Sequence, residues 1–281
     1  PEPTEVPTPE PTEGPTPEPT PDPNDAYFLD REGEEYELDF ENGRFWYRSS
    51  TLSIDAEQVN TTYTNGKPLV YYVADIRMRG TSSYRSGIYD KVAPHKYARA
   101  QKAVLAITGD NLDLENKVQK GCLIRQGKFY CDYRKSETLV IEKDGMTLSV
   151  LHPGTFTARE LMDRGVRDTY GFGPCLVENG ELCSSVYTHF VKGPNPRCGI
   201  GMVEPGHWIA IVSDGRQRGY SESITLEYFA QLFMDRGCIV AYNLDGGSSS
   251  CMYYDGEWLM SSVTFYYANS SWRLPAGFVV K

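Results

Sequence analysis

Basic residues are scarce in this chain: 28 Lys and Arg stand against 38 Asp and Glu, a formal net charge of −10 over 281 residues. The deficit is local. Residues 1–25 hold Glu2, Glu5, Glu10, Glu13, Glu18, Asp22 and Asp25 with no Lys or Arg, and removing those seven charges leaves −3 for the remainder. A near-neutral body has no basic field to set against a phosphate backbone, so no nucleic-acid partner is expected. No stretch of eighteen apolar residues occurs, so no membrane insertion is expected of this stretch of chain. The four histidines, His95, His152, His189 and His207, form no H-E-x-x-H, and the seven cysteines form no C-x-x-C, which argues against a zinc site. Internal repeats are also lacking.

What is present begins with PEPTEVPTPEPTEGPTPEPTPDPND, in which ten prolines remove backbone donors and the acids repel one another. Residues 1–25 are expected to form an extended, semi-rigid spacer. Pro/Thr repeats of this kind resemble stalks that hold domains off a cell surface. An anchor or leader upstream, and an extracellular or cell-surface location, are the expectation. An odd number of cysteines leaves at least one unbridged within the chain. Cys122 and Cys131 flank one turn and Cys175 and Cys183 another, so either pair could face across a hairpin, or all could be thiols.

Residues 26–80 read as strands, with Asn42-Gly43 and Asn65-Gly66 as hairpin turns. Helices are fewer. APHKYARAQKA (93–103) is one. TARELMDRG carries a capping box, Thr157 with Glu160, and a Gly165 stop. TLEYFAQLFMDRG has a Thr225 cap, Gly237 as its end, and Leu226, Phe229, Ala230 and Phe233 at i, i+3, i+4 and i+7, which predicts one buried face. Three apolar runs then end alike: AVLAIT (103–108) on Gly109-Asp110, HWIAIVS (207–213) on Asp214-Gly215-Arg216, and CIVAYNL (238–244) on Asp245-Gly246-Gly247. Such runs are buried strands, and the helix between the last two suggests a parallel βαβ crossover. The expected fold is therefore mixed α/β (α+β): a twisted sheet with a parallel βαβ element, flanking helices and a strand-rich N-terminal portion. Ligands collect at the carboxyl ends of such strands, which puts Asp245 at a crevice.

The turn Asp245-Gly246-Gly247-Ser248-Ser249-Ser250 unites an acid, bare backbone and hydroxyls. Two glycines permit a concave nest of amides suited to phosphate. It is no Walker loop, since no Lys follows in that spacing, and no G-x-S-x-G elbow, since Ser250 stands where glycine is needed. A carboxylate beside a phosphate calls for a cation, and Arg197 and Arg216 are the candidates.

Four blocks in order, YYVADIRM (71–78), AVLAITGDNL (103–112), GFGPCLVENGEL (171–182) with PRCGIGMV (196–203), and the run 209–252 ending in NLDGGSSSCM, resemble the phosphodiester glycosidases. Members commonly read Asn-Gly-Asp where this chain has Thr108-Gly109-Asp110, a third glycine where it has Ser248, and threonines at Cys198 and Cys251. The resemblance implies one catalytic domain over 26–281, with 26–70 as an N-terminal strand extension. It implies a hydrolase that cleaves the bond between a sugar anomeric carbon and phosphate in a sugar-1-phosphodiester. On it, Arg197 and the 246–249 turn (Gly246, Gly247, Ser248, Ser249) hold phosphate. Asp110 and Asp245 face the sugar, one as base or nucleophile and one as orienter, and Asp214 and Arg216 follow as substrate-binding candidates. No cofactor is required, although Asp110, Asp214 and Asp245 could converge on a divalent cation such as Ca2+. The partner is a glycan or sugar phosphodiester. The competing expectation is a non-catalytic module for anionic or phosphorylated cell-surface glycans, motivated by Thr108 and Ser248, with a displayed interaction domain using the aromatic stretch 256–272 behind it.

Overall fold

Strand-forming side chains alternate along the Lys67–Met78 strand so that both of its faces are apolar. Leu69, Tyr71 and Val73 pack on one side, and Val70, Tyr72, Ala74, Ile76 and Met78 on the other. A strand of this kind must lie at the middle of three layers. In the computed structural model, which describes residues 24–64, 66–80, 83–87, 94–110, 122–132, 136–255, 257–259 and 277–280, it does. Nine strands form the central sheet, in the spatial order Glu34–Asp39, Arg44–Ser49, Leu52–Tyr63, Lys67–Met78, His207–Ser213, Arg197–Glu204, Val240–Asn243, Cys175–Glu178 and Glu181–Leu182. The helix Leu226–Met234 covers one face. On the other face lie a five-stranded sheet, in which Leu105–Thr108 pairs with Met252–Tyr254, and a three-stranded sheet centred on Thr138–Ile141.

The capped helices form as their sequences require. Thr225 accepts from the Tyr228 amide at 3.2 Å, and Leu226, Phe229, Ala230 and Phe233 are all buried. Thr157 and Glu160 close the reciprocal box at the start of Ala158–Asp163. The expected helix at 93–103 is observed as Pro94–Ala100. The helix Leu226–Met234 sits close on the sheet because the strand beneath it carries glycines. A Cβ on Gly199 would lie 2.9 Å from both Phe229 Cε1 and the Tyr242 carbonyl.

The expectation of an α/β fold with a parallel βαβ crossover is overturned: every strand pairing among the described residues is antiparallel, and the chain is strand-rich. His207–Ser213 and Val240–Asn243 do run in the same direction, but Arg197–Glu204 lies between them, antiparallel to both. The reason is occupancy. A tight hairpin at Gly206 sets Arg197–Glu204 on one edge of His207–Ser213, and Lys67–Met78 holds its other edge, so the strand after the helix must pair one place further on. Residues 1–23 of the spacer expected at 1–25, Asn65 of the second hairpin turn, and most of the aromatic stretch 256–272 lie outside the described residues.

Candidate active site

The antiparallel insertion still brings chemistry to one edge. His207–Ser213 and Val240–Asn243 end there and Arg197–Glu204 begins there, with Arg197 opposite Ser213 and Gly199 opposite Asn243. The connecting segments are laced together. Gly247 N–H donates to the Pro196 carbonyl at 2.9 Å, Leu244 N–H to that of Cys198 at 2.8 Å, and Asp245 N–H to that of Gly109 at 2.9 Å. They enclose, with Phe172, a cavity of about 190 Å³ lined by Asn195, Arg197, Arg216, Asn243 and Asp245 together with residues 246–249.

Asp245 is 8% exposed. Burial pushes its carboxyl up to about 7, against hydrogen bonds from the Ser249 hydroxyl and the Gly246 amide that hold it down; the charge of Asp110 adds to the rise. The bend that aims it needs glycine at 246, where a Cβ would come within 2.7 Å of the Pro196 carbonyl oxygen. Beyond it, Gly247–Ser249 form one tight turn of 3-10 helix. The amides of Gly247, Ser249 and Ser250 donate to the carbonyls of Pro196, Gly246 and Gly247, so they do not form the anion nest expected of this turn. Thr108, where family members commonly carry Asn, donates its hydroxyl hydrogen to the Ser249 carbonyl and so pins the turn from below.

The cationic side of the cavity is Arg216. Its backbone takes φ +61°, a left-handed conformation uncommon for a side-chain-bearing residue, and its amide donates to Ser223 Oγ at 3.1 Å. From there the guanidinium crosses Gly247 and donates to Ser248 Oγ at 3.3 Å and Asn195 Oδ1 at 2.9 Å. Arg197 is buried, and much of its donor set goes to backbone: Nε to the Ile224 carbonyl at 3.2 Å, and Nη2 to the carbonyls of Val191 (2.8 Å) and Gly193. Burial, with Arg216 nearby, lowers it to about 10, so it stays charged at neutral pH.

Two aspartates have other partners. Asp110 is fully buried, pairs with Arg125 Nη2 at 2.7 Å and accepts from the Gly171 amide at 3.3 Å. Burial alone would lower the Arg125 guanidinium, yet Asp110 and its neighbours hold it above its usual value. Arg125 also lies over the Tyr170 ring at 4.0 Å. Asp214 turns to Tyr220, whose hydroxyl is 3.5 Å from Oδ2. Among the described residues no three acidic, His or Cys side chains gather as a metal-binding group, and the three aspartates do not converge on one point.

Five lining residues escaped the sequence reading: Phe172, Val191, Asn195, Pro196 and Asn243. Asn243 is 1% exposed, and its Nδ2 donates to the Gly173 carbonyl at 2.7 Å, which leaves Oδ1 buried without a partner among the described residues. The signal for it was an amide closing an otherwise apolar strand, CIVAYNL. Beyond Phe172 lies a second cavity of about 520 Å³, walled by Phe172, Thr188, His189, Phe190 and Glu137.

A model of the family described as phosphodiester glycosidase matches residues 101–281. Among curated proteins, the SPbeta prophage-derived uncharacterized protein YomE of Bacillus subtilis (strain 168) is 30% identical over 186 residues, 64% of this chain. This chain spans 28% of that relative. Among solved structures, the zebrafish N-acetylglucosamine-1-phosphodiester alpha-N-acetylglucosaminidase catalytic domain, auto-inhibited by its pro-peptide, superposes with a TM-score of 0.64 at 16% identity, over 88% of this chain and 87% of that one. A hypothetical protein from Synechocystis superposes at 0.52 with 15% identity, over 90% of this chain and 64% of that one. These two likenesses speak to the fold. The family match rests on the sequence and covers the strands, the Asp-Gly-Arg bend and the Asp-Gly-Gly turn that meet at the cavity: the chain belongs to the phosphodiester glycosidase family.

Proposed function

We propose that this chain hydrolyses a sugar-1-phosphodiester at the bond between the anomeric carbon and phosphate, releasing free sugar and a phosphomonoester. The observation that carries the reading is one cavity whose lining brings together the buried carboxyl of Asp245 and the guanidinium groups of Arg197 and Arg216. The phosphate leaves as a weak base, so the site's tasks are to offset its charge and to activate water at an oxocarbenium-like carbon. Arg216, with Ser248 beside it, takes the phosphate oxygens, and Arg197 supplies a second positive charge from below. Asp245, once ionised, accepts the proton of the attacking water, and Asn243 Oδ1, without a partner among the described residues, accepts a hydrogen bond from that water or from a sugar hydroxyl. Asp110 acts at one remove, since its carboxylate is held by Arg125 and the Gly171 amide while its charge raises Asp245. The second cavity leaves room for the alcohol on the far side of the phosphate. The acidic Pro/Thr spacer supports display outside the cell.

The test is a panel of sugar-1-phosphodiesters with direct detection of released sugar, run beside Asp245→Asn. Release by the wild type and its loss in the variant are expected. Saturable binding of every compound with no sugar released would overturn hydrolysis in favour of a glycan-binding module.

A further inference from the structure

The chain carries seven cysteines, all present as thiols. Two of them meet: Cys183 Sγ lies 2.9 Å from Cys175 Sγ, where a disulfide would need about 2.05 Å. They sit on the hairpin formed by Cys175–Glu178 and Glu181–Leu182, closed by Asn179 and Gly180, both in the left-handed region at φ 53° and 78°. The backbone is held on each side of the contact. The Cys175 amide donates to Glu137 Oε2 at 2.6 Å, its carbonyl accepts from Ser185 Oγ at 3.1 Å, and the Cys183 amide donates to the Leu176 carbonyl at 3.0 Å. The other candidate pair is offset, since the register sets Cys122 opposite Asp132 and Cys131 opposite Leu123.

We propose that Cys175 and Cys183 form a disulfide by exchange with an oxidant of the disulfide class, either a low-molecular-weight disulfide or the active-site disulfide of a thiol oxidase. The half-exposed Cys183 thiolate attacks one donor sulfur and expels the first donor thiolate. The Cys175 thiolate then attacks Cys183 Sγ in the mixed disulfide and expels the second. The protein loses two protons and two electrons, and the donor disulfide takes them up to become two thiols. The bond ties the strand that follows Phe172 to the segment Ser185–Phe190, which supplies Thr188, His189 and Phe190 to the wall of the second cavity. Oxidation therefore fixes that wall. The disulfide stands independently of the phosphodiester reading, because its readout needs no substrate.

The test equilibrates the full chain across graded ratios of oxidised to reduced glutathione. The samples are then acid-quenched, alkylated with N-ethylmaleimide in denaturant and digested without reductant. Mass mapping should find the Cys175 and Cys183 peptides joined, two hydrogens lighter than their sum and free of glutathione, at a more reducing ratio than any other pair. Amide exchange over 184–190 should be slower in this oxidised form than in Cys183→Ser. Separate alkylation or glutathionylation of the two cysteines across the whole series, or earlier closure of Cys122–Cys131, would overturn the pairing. A joined pair with unchanged exchange over 184–190 would overturn the fixing of the wall.

Discussion

Asp245 is the residue on which pH acts. Its carboxyl titrates at about 7 when folded and near 3.8 when unfolded, so the folded chain holds that proton more tightly. The contribution to stability is therefore fully present below about pH 4 and is lost as pH rises through 7, on the order of 4 kcal/mol across that window. Asp245→Asn should raise the melting temperature near pH 8 and change it little near pH 4; thermal melts at both values check this, and an equal shift at both would contradict it. Activity runs the other way. If ionised Asp245 accepts the water proton, kcat/KM should climb as pH rises through about 7, and Asp245→Asn should lose both the turnover and that limb. The two arginines divide by their partners. Arg216→Ala removes an exposed fork and should lower kcat/KM by about a hundredfold with little loss of stability, in line with roughly 3 kcal/mol of charge stabilisation. Arg197→Ala strips the Val191, Gly193 and Ile224 carbonyls of their donor, and a fall in the urea midpoint should accompany its kinetic loss. Residue types were readable here because an acid before two glycines and an arginine after an Asp-Gly bend are local patterns. Asn243 was not, since an amide at the end of an apolar strand has meaning only once its neighbours are known.

At the scale of elements, caps and faces were legible and partners were not. Thr225 and the i, i+3, i+4, i+7 pattern specify the helix Leu226–Met234 from within twelve residues, so Thr225→Ala should cost about 1 kcal/mol in denaturant unfolding. What lies under the helix is another matter. Gly199→Ala pushes a methyl against Phe229 and the Tyr242 carbonyl, and it should cost about 1–3 kcal/mol by the same measurement, because neither the ring nor the strand can retreat. A cost below a few tenths would mean that the helix is free to lift. The order strand, helix, strand sets direction and leaves adjacency open, which is why an apparent parallel crossover is in fact two strands separated by a third. The crevice at their shared end survives that correction, since it depends on direction alone.

Over the whole molecule, the buried ion pair of Asp110 and Arg125 connects the Leu105–Thr108 strand end to the Cys122–Arg125 strand just below the cavity. Arg125→Met leaves a carboxylate buried without its cation and should cost about 3–5 kcal/mol, while the double variant Asp110→Asn/Arg125→Met should lose less than the single one. Urea unfolding of the four proteins in the cycle checks it, and a single-variant loss below about 1 kcal/mol would remove the pair as a brace. Nothing local marks Arg125 as that partner: fifteen positions separate it from Asp110, and the hairpin that returns it is a tertiary event. The sequence by itself determined the strands and capped helices, the family, and the acids, glycines and arginines gathered at the ends of apolar runs, because those depend on spacing within a dozen residues. Only the tertiary structure decided which strands are neighbours, that the amides of Gly247, Ser249 and Ser250 are spent on backbone carbonyls, and that Arg216 faces the cavity while Asp110 and Asp214 turn to other partners. Those outcomes depend on which of several competing edges and charges come within hydrogen-bonding distance once the sheet has closed.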